Sequence, residues 1–297
     1  MPSPLVIGAS GGLPVNSLQA FNYNESMFNF DGQIWLRTGF VETDFQNYPE
    51  AFKQKGLGGY SGVNFVISGT STDPRGIASD DLYFWVVDVN NTVYQFDKVT
   101  GNYTGINFDV SIQGGLKTNI AVDDSYIYII SNNRTVYQFD KVTGIYTGFN
   151  FSTGAEDTNP QGIAVDDDFI WVVGITNNAI YKYNKSTGAF VAPSISISSQ
   201  TTTCSGVAVD DEYIWVASSN SGIFQYDKMN GTYNNNNIPY TGISGGNQGL
   251  SVEVDNIYVL SGNADAIYQY VPAVGVADEY FFNTETLSPL PYYVRIK

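Results

Sequence analysis

The chain has 297 residues, of which 13 are basic and 29 acidic, so its formal net charge is −16. It contains no histidine and one cysteine, which excludes Ser-His-Asp and Cys-His catalysis, histidine-ligated metals and an internal disulfide. A strongly acidic surface repels phosphate groups, so we expect no nucleic-acid partner. No apolar run approaches the ~20 residues of a membrane helix, and the first residues do not have the pattern of a signal peptide. We therefore predict neither membrane insertion nor export through such a signal.

An internal repeat determines the predicted architecture. Each copy contains four short runs rich in β-branched and aromatic residues, separated by turn sequences such as Asp-Asp, Asn-Asn and Asp-Lys-x-Thr-Gly. Four short antiparallel strands in a repeat of about 43 residues are typical of a β-propeller. The aligned copies, the last of them weaker than the others, begin at Gly76, Asn119, Gly162, Gly206 and Gly249.

A degenerate copy precedes these five. Tyr60, followed by Gly-Val-Asn-Phe, stands 43 residues before Tyr103, which is followed by Gly-Ile-Asn-Phe. Counting this copy, we predict an all-β, six-bladed β-propeller of four-stranded antiparallel blades that fills residues 1–297 as a single domain. We expect a degenerate blade 1 at about 17–66, blades 2–5 at about 76–241, blade 6 at about 249–283, and a closing strand or tail at 284–297. The strand that closes the ring is expected either before Gln19 or at Tyr280-Phe281-Phe282.

The repeat unit is similar to NHL and YVTN propeller repeats over roughly residues 60–270, which implies the fold but no particular activity. Three segments also resemble bacteriophage tail-fibre and tail-associated proteins. They are GQIWLRTGFVETDFQNYPEAF at 32–52, DTNPQGIAVDDDFIWVVG at 157–174 and LPYYVRIK at 290–297. This second resemblance implies a virion component at or near the tail, made in the host cytoplasm, with other tail proteins as its partners. It supplies no catalytic residues.

The turns after the first and third strands share one face of the predicted propeller and are acidic. Such a ring of carboxylates suits calcium, but aspartate is also a favoured turn residue and no EF-hand loop is present. We therefore predict no metal site and expect the lysines of this face to compensate part of its charge. The acidic turns are Asp80-Asp81, Asp123-Asp124, Asp166-Asp167-Asp168 and Asp210-Asp211, with Lys98, Lys141, Lys185 and Lys228 nearby.

The opposite face carries the variable loops, where recognition usually occurs on a repeat scaffold. Just before each first strand, one residue per repeat is expected to surround the mouth of the central channel, together with an arginine from a turn on the same face. Their side chains suit hydrogen bonds to sugars or to a protein. The predicted binding residues are Arg75, Thr118, Gln161, Ser205, Gln248 and Arg134.

We predict no catalytic residue and no cofactor, and Cys204 is interpreted as a small buried residue. The predicted function is a non-enzymatic virion structural protein, tail-associated or surface-exposed, that contacts a host glycan or protein. One alternative is a propeller hydrolase or lactonase that holds a divalent cation between acids pointing into the channel. A glycoside hydrolase with paired acids from distant blades stays open, as does a cell-surface scaffold of the YVTN kind.

Overall fold

The computed structural model describes residues 25–30, 33–38, 59–219, 221–240, 243, 246–253, 256–271 and 293–296. The chain forms two compact units, residues 58–273 and residues 1–57 together with 274–297. The described residues form β-strands and a short 3-10 helix at Ser111–Gln113. None of the described residues belongs to a helix long and apolar enough to cross a membrane.

The unit built from the two ends of the chain contains a three-stranded antiparallel sheet, in the order β1 (Glu25–Phe30), β2 (Gln33–Thr38) and β23 (Tyr293–Ile296). In the pairing of β2 with β23, Ile34 is opposite Ile296 and Arg37 is opposite Tyr293. The segments at 32–52 and 290–297 therefore contribute neighbouring strands to one sheet. This sheet is separate from the propeller blades.

Residues 58–273 form five four-stranded antiparallel sheets, which are the blades of a β-propeller. Blade I contains β4 (Pro74–Ser79), β5 (Tyr83–Asp88), β6 (Thr92–Asp97) and β7 (Tyr103–Asp109). Blade II contains β8 (Lys117–Val122), β9 (Tyr126–Ser131), β10 (Thr135–Asp140) and β11 (Tyr146–Ser152). Blade III contains β12 (Pro160–Val165), β13 (Phe169–Gly174), β14 (Ala179–Asn184) and β15 (Phe190–Ser196). Blade IV contains β16 (Cys204–Val209), β17 (Tyr213–Ser218), β18 (Ile223–Asp227) and β19 (Tyr233–Ile238). Blade V contains β20 (Asn247–Val252), β21 (Ile257–Ser261), β22 (Ala266–Val271) and β3 (Gly59–Val66).

The prediction of six blades was wrong, because the degenerate copy is not a blade of its own. Its strand β3 is the outer strand of blade V, where Tyr60 is opposite Tyr270 and Val66 is opposite Ala266. Blade V draws its other three strands from the far end of the repeat region, so the hydrogen bonds between β22 and β3 close the ring. The closing segments expected before Gln19 and at 280–282 lie outside the described residues.

The second strand of each blade is buried on both faces, as its continuous apolar pattern predicts. The cause is the packing of each sheet between two neighbours. Trp85 and Val93 of blade I, for example, belong to one apolar cluster with Ile127 and Phe139 of blade II. The core is therefore distributed between adjacent blades, and each blade depends on both of its neighbours.

The five first strands form a closed circle around the axis, in which β4 contacts β8, β8 contacts β12, β12 contacts β16, β16 contacts β20, and β20 contacts β4. Glycine stands at the closest approach in four blades. A Cβ atom added at Gly162 would lie 2.7 Å from the Cα atom of Gly206, and one at Gly249 would lie 2.8 Å from the backbone nitrogen of Ile77. The glycine that begins most repeats is therefore required by the approach of neighbouring backbones.

Candidate functional site

The first aspartate of each acidic turn is bound within its own blade. Oδ1 of Asp166 accepts the N–H groups of Asp168 at 3.0 Å and Phe169 at 2.8 Å, and Oδ2 accepts Nε1–H of Trp171 at 2.8 Å. The same arrangement recurs at Asp80 with Trp85 and at Asp210 with Trp215. In blade II, the hydroxyl group of Tyr128 donates to Asp123 at 3.2 Å in place of a tryptophan.

A lysine from the next blade completes this arrangement. Nζ of Lys228 in blade IV lies 3.0 Å from Oδ2 of Asp166 in blade III, and it also donates to the carbonyl oxygen of Asp210 at 2.7 Å. The equivalent ion pairs across blade boundaries are Lys98–Glu253 at 2.7 Å, Lys141–Asp80 at 2.8 Å and Lys185–Asp123 at 2.7 Å. At the boundary of blades IV and V, Pro272 stands at the repeat position of the lysine and lies outside the described residues.

These contacts keep the turn carboxylates ionised. Burial by itself raises the pKa of Asp80, Asp123 and Asp166, but hydrogen bonds from the lysine, the aromatic partner or the backbone outweigh it and hold each pKa below its usual value. The carboxylate oxygens of Asp80, Asp123 and Asp166 already accept hydrogen bonds from protein groups. Within the described ranges, no group of three or more acidic or cysteine side chains is arranged to hold a metal ion.

The channel on the acidic-turn side is small, and most of its exposed surface is polar although most of the side chains that line it are apolar. A cavity of about 70 Å³ lies there, which is room for a few water molecules. The five first strands line it with Ile, Ala, Val, Leu and Ser residues, and the hydroxyl groups of Ser79 and Ser251 lie 2.8 Å apart. Acidic side chains do not line this cavity; the nearest acids along each strand stand in the turns that follow it.

The predicted mouth residues lie at the other end of the first strands. All of them except Arg134 are the second residue of a first strand, so these five residues lie inside the sheet rather than before it. Nη2 of Arg75 lies 3.0 Å from Oδ2 of Asp73, and Nε2 of Gln161 donates to Oδ1 of Asn159 at 2.7 Å. Both side chains are partly exposed and are oriented by an acceptor two residues earlier in the chain.

The other four candidates have different surroundings in each blade. Oγ1 of Thr118 donates to the carbonyl oxygen of Ile130 at 3.2 Å, and Gln248 is partly exposed. Ser205 is buried, with 9% of its surface exposed. Arg134 is exposed in the turn between β9 and β10, where its φ of 68° is unusual for a residue with a side chain. Five of the six predicted residues therefore reach the surface at least in part.

Sequence reasoning missed Lys117, which lies directly before the mouth residue of blade II. Its side chain is buried, and Nζ donates to the carbonyl oxygen of Gly114 at 2.6 Å and lies 5.3 Å from the ring centre of Tyr137. Burial lowers the pKa of this lysine. The sequence does mark this position, because a lysine stands where blades I and III have proline.

Sequence reasoning also missed Asn119, which stands at the repeat position that is glycine in the other four blades. Nδ2 of Asn119 donates to the carbonyl oxygens of Gln248 at 3.1 Å, Ser205 at 3.2 Å and Gln161 at 3.3 Å. The side chain, with 1% of its surface exposed, therefore crosses the axis from blade II to blades III, IV and V. It forms a floor beneath the channel mouth.

No family model and no curated protein matches the chain. Among solved structures, glutaminyl cyclase from Myxococcus xanthus is similar with a TM-score of 0.59 and 9% identity, covering 75% of this chain and 100% of that one. BamB from Moraxella catarrhalis is similar with a TM-score of 0.40 and 17% identity, covering 66% of this chain and 59% of that one. The likeness to the cyclase supports the β-propeller fold and, at this identity, nothing beyond it. The comparisons do not show the resemblances to NHL repeats and to tail proteins, which stay predictions.

Proposed function

We propose that this protein is a non-enzymatic interaction module of a virion, tail-associated or surface-exposed, and that its channel mouth binds a host glycan or a host protein. The observation that carries this proposal is the contrast between the two ends of the first strands. At the acidic-turn end, repeated residues make the same contacts in successive blades. At the mouth, one backbone position carries a different residue in each blade except for the two glutamines, as expected where the partner is asymmetric.

The mouth has the chemistry of a polar recognition surface. Arg75 and Gln161 are each fixed by a hydrogen bond on a rigid sheet, so less conformational entropy is lost when a ligand binds. A guanidinium group has five N–H donors and an amide has both donors and acceptors, which suits sugar hydroxyls and peptide groups. Asn119 closes the channel behind these residues, so a ligand at the mouth meets a floor rather than an open tunnel.

The virion part of the proposal rests on the resemblance of three segments to phage tail proteins. The strands from residues 33–38 and 293–296 pair in one antiparallel sheet, so two of those segments form a single structural element. We assign that element to contacts with other tail proteins and the channel mouth to contacts with the host.

The proposal is tested by mass spectrometry of purified particles and by binding of the fluorescently labelled protein to host cells. We expect the chain in the particles, and we expect Gln161→Ala combined with Gln248→Ala to weaken cell binding. The matched control is Asp167→Ala, an exposed change on the acidic-turn face that should leave binding unchanged. Absence of the chain from particles overturns the virion role, and equal binding by both variants overturns the mouth as the binding surface.

The hydrolase alternative is tested on the same preparation. It predicted acids pointing into the channel, whereas Gly, Ala, Val, Ile and the amide of Asn119 lie there. Metal content and turnover of lactone and ester substrates are measured together with glutaminyl cyclase activity, the activity in the name of the similar structure. Turnover that disappears on chelation of a stoichiometric divalent cation would replace the binding module with an enzyme.

A further inference from the structure

Backbone carbonyl oxygens of three blades line one level of the channel, around the amide of Asn119. The first strand of each blade is an inner edge strand, so part of its backbone polar groups point to the axis rather than to a neighbouring strand. The carbonyl oxygens of Gln161, Ser205 and Gln248 converge on one point, where the distances to Nδ2 of Asn119 are 3.1 to 3.3 Å. Buried carbonyl oxygens in such an arrangement need a positively polarised partner.

The orientation of the Asn119 amide is fixed from its other end. Oδ1 accepts the N–H group of Ile120 at 2.9 Å, so the two N–H bonds of Nδ2 are directed to the carbonyl oxygens. A Cβ atom added at Gly76 would lie 2.6 Å from both the Cα and Oδ1 atoms of Asn119, so Asn119 excludes a side chain at the equivalent position of blade I.

The spacing of the carbonyl oxygens identifies the kind of ion that would replace the amide. Calcium requires oxygen ligands at about 2.3–2.6 Å and magnesium at about 2.0–2.1 Å, both shorter than the separations around Nδ2. Larger monovalent cations are bound by rings of backbone carbonyl oxygens, as in potassium channels. A cation of the size of potassium or ammonium therefore fits this level of the channel best.

We propose that this level of the channel is a monovalent-cation site in which the side-chain amide of Asn119 takes the place of the ion in the native chain. The amide satisfies the converging carbonyl oxygens, so the native ring is stable without an ion. A chain with glycine at this position, as in the other four repeats, requires a cation for the same purpose. This inference does not depend on the proposed virion function.

The test compares thermal unfolding of the wild type and of Asn119→Gly in potassium chloride, sodium chloride and choline chloride at equal ionic strength. We expect the wild-type Tm to be the same in all three salts. We expect the variant to have a lower Tm in choline chloride and to recover by several degrees in potassium chloride, with saturation and a preference over sodium. The matched control is Asn107→Gly on the exposed outer strand β7, which loses the hydrogen bond to Tyr103 and should show no preference among the salts.

A second readout locates the ion. In crystals of Asn119→Gly grown with rubidium chloride, we expect an anomalous peak on the axis between the carbonyl oxygens of residues 161, 205 and 248. A variant with no selective response to potassium and no axial peak overturns the proposal. Failure of the variant to fold in potassium chloride also overturns it, because the ion would then be unable to replace the amide.

Discussion

The two ends of the first strands differ in how closely their residues and contacts repeat from blade to blade. At the acidic-turn end, an aspartate in each of blades I to III accepts backbone N–H groups, an aromatic donor and a lysine from the next blade. At the mouth, Arg75 pairs with an aspartate, Thr118 with a carbonyl oxygen, and Ser205 is buried. The contacts at the repeated end therefore join neighbouring blades, whereas the mouth positions share no contact that is common to all blades, which is the basis of the proposed binding role.

The largest difference in the free energy of unfolding is expected between substitutions of two adjacent aspartates in the same turn. Asp166→Ala removes the acceptor of Trp171 Nε1–H, two backbone acceptor contacts and the partner of Lys228, and should lower the free energy of unfolding by about 3 kcal/mol. Asp167→Ala changes an exposed side chain and should stay within about 0.5 kcal/mol of the wild type. Urea unfolding measures both; equal losses would show that the turn needs the charge and not these contacts.

A smaller effect is expected for a single lysine that joins two blades. Lys185→Ala should lower the free energy of unfolding by about 1 kcal/mol, because its ion pair with Asp123 is mostly shielded from solvent. A double-mutant cycle of Lys185 with Asp123 should give a coupling energy of similar size. The same cycle with Asp167, which belongs to the same face but is not its ion-pair partner, should give none. Coupling with both aspartates would mean that the lysine acts only through the overall charge of the face.

The acidic turns also make stability depend on pH in a defined direction. The folded pKa of Asp80, Asp123 and Asp166 lies below the unfolded aspartate value of about 3.9, so their stabilisation is complete above that value and is lost as the pH falls through the folded pKa. We expect the free energy of unfolding to fall on acidification below about pH 4, with proton uptake on unfolding. Asp80→Asn should reduce this dependence, and Asp81→Asn at the exposed neighbouring position is the matched control. An unchanged acid dependence in Asp80→Asn would assign the effect to other groups.

The smallest expected effect is on the chemical reactivity of a cysteine at the mouth end of blade IV. Cys204, with 4% of its surface exposed, precedes Ser205, and burial raises the pKa of its thiol to about 12. The folded protein should therefore not react with iodoacetamide at neutral pH, and labelling should follow the rate of unfolding. Rapid labelling of the folded protein would show that this part of the mouth opens.

Much of the fold could be predicted from the sequence, because turn residues and strand patterns are local. The four strands of each repeat, the doubly buried second strand and the equivalence of Tyr60 with Tyr103 all follow from the repeat. The number of blades could not be predicted, because the pattern of a strand does not identify the strand with which it pairs. The strand β3 pairs with a strand about two hundred residues away. At the candidate site, the faces that carry the acidic turns and the mouth residues could be predicted from the position of these residues in the repeat. Lys117 and Asn119 could be recognised as departures from the repeat, but their contacts depend on how the ring closes.

The most direct test of the division between the two ends compares two fourfold variants in urea unfolding. One carries alanine at Lys98, Lys141, Lys185 and Lys228, and the other carries alanine at Arg75, Thr118, Gln161 and Gln248. We predict a loss of about 4 kcal/mol in the first, since well-separated ion pairs add, and less than about 1 kcal/mol in the second. Equal losses, or a larger loss in the channel-mouth variant, would contradict the assignment of structure to one end and recognition to the other.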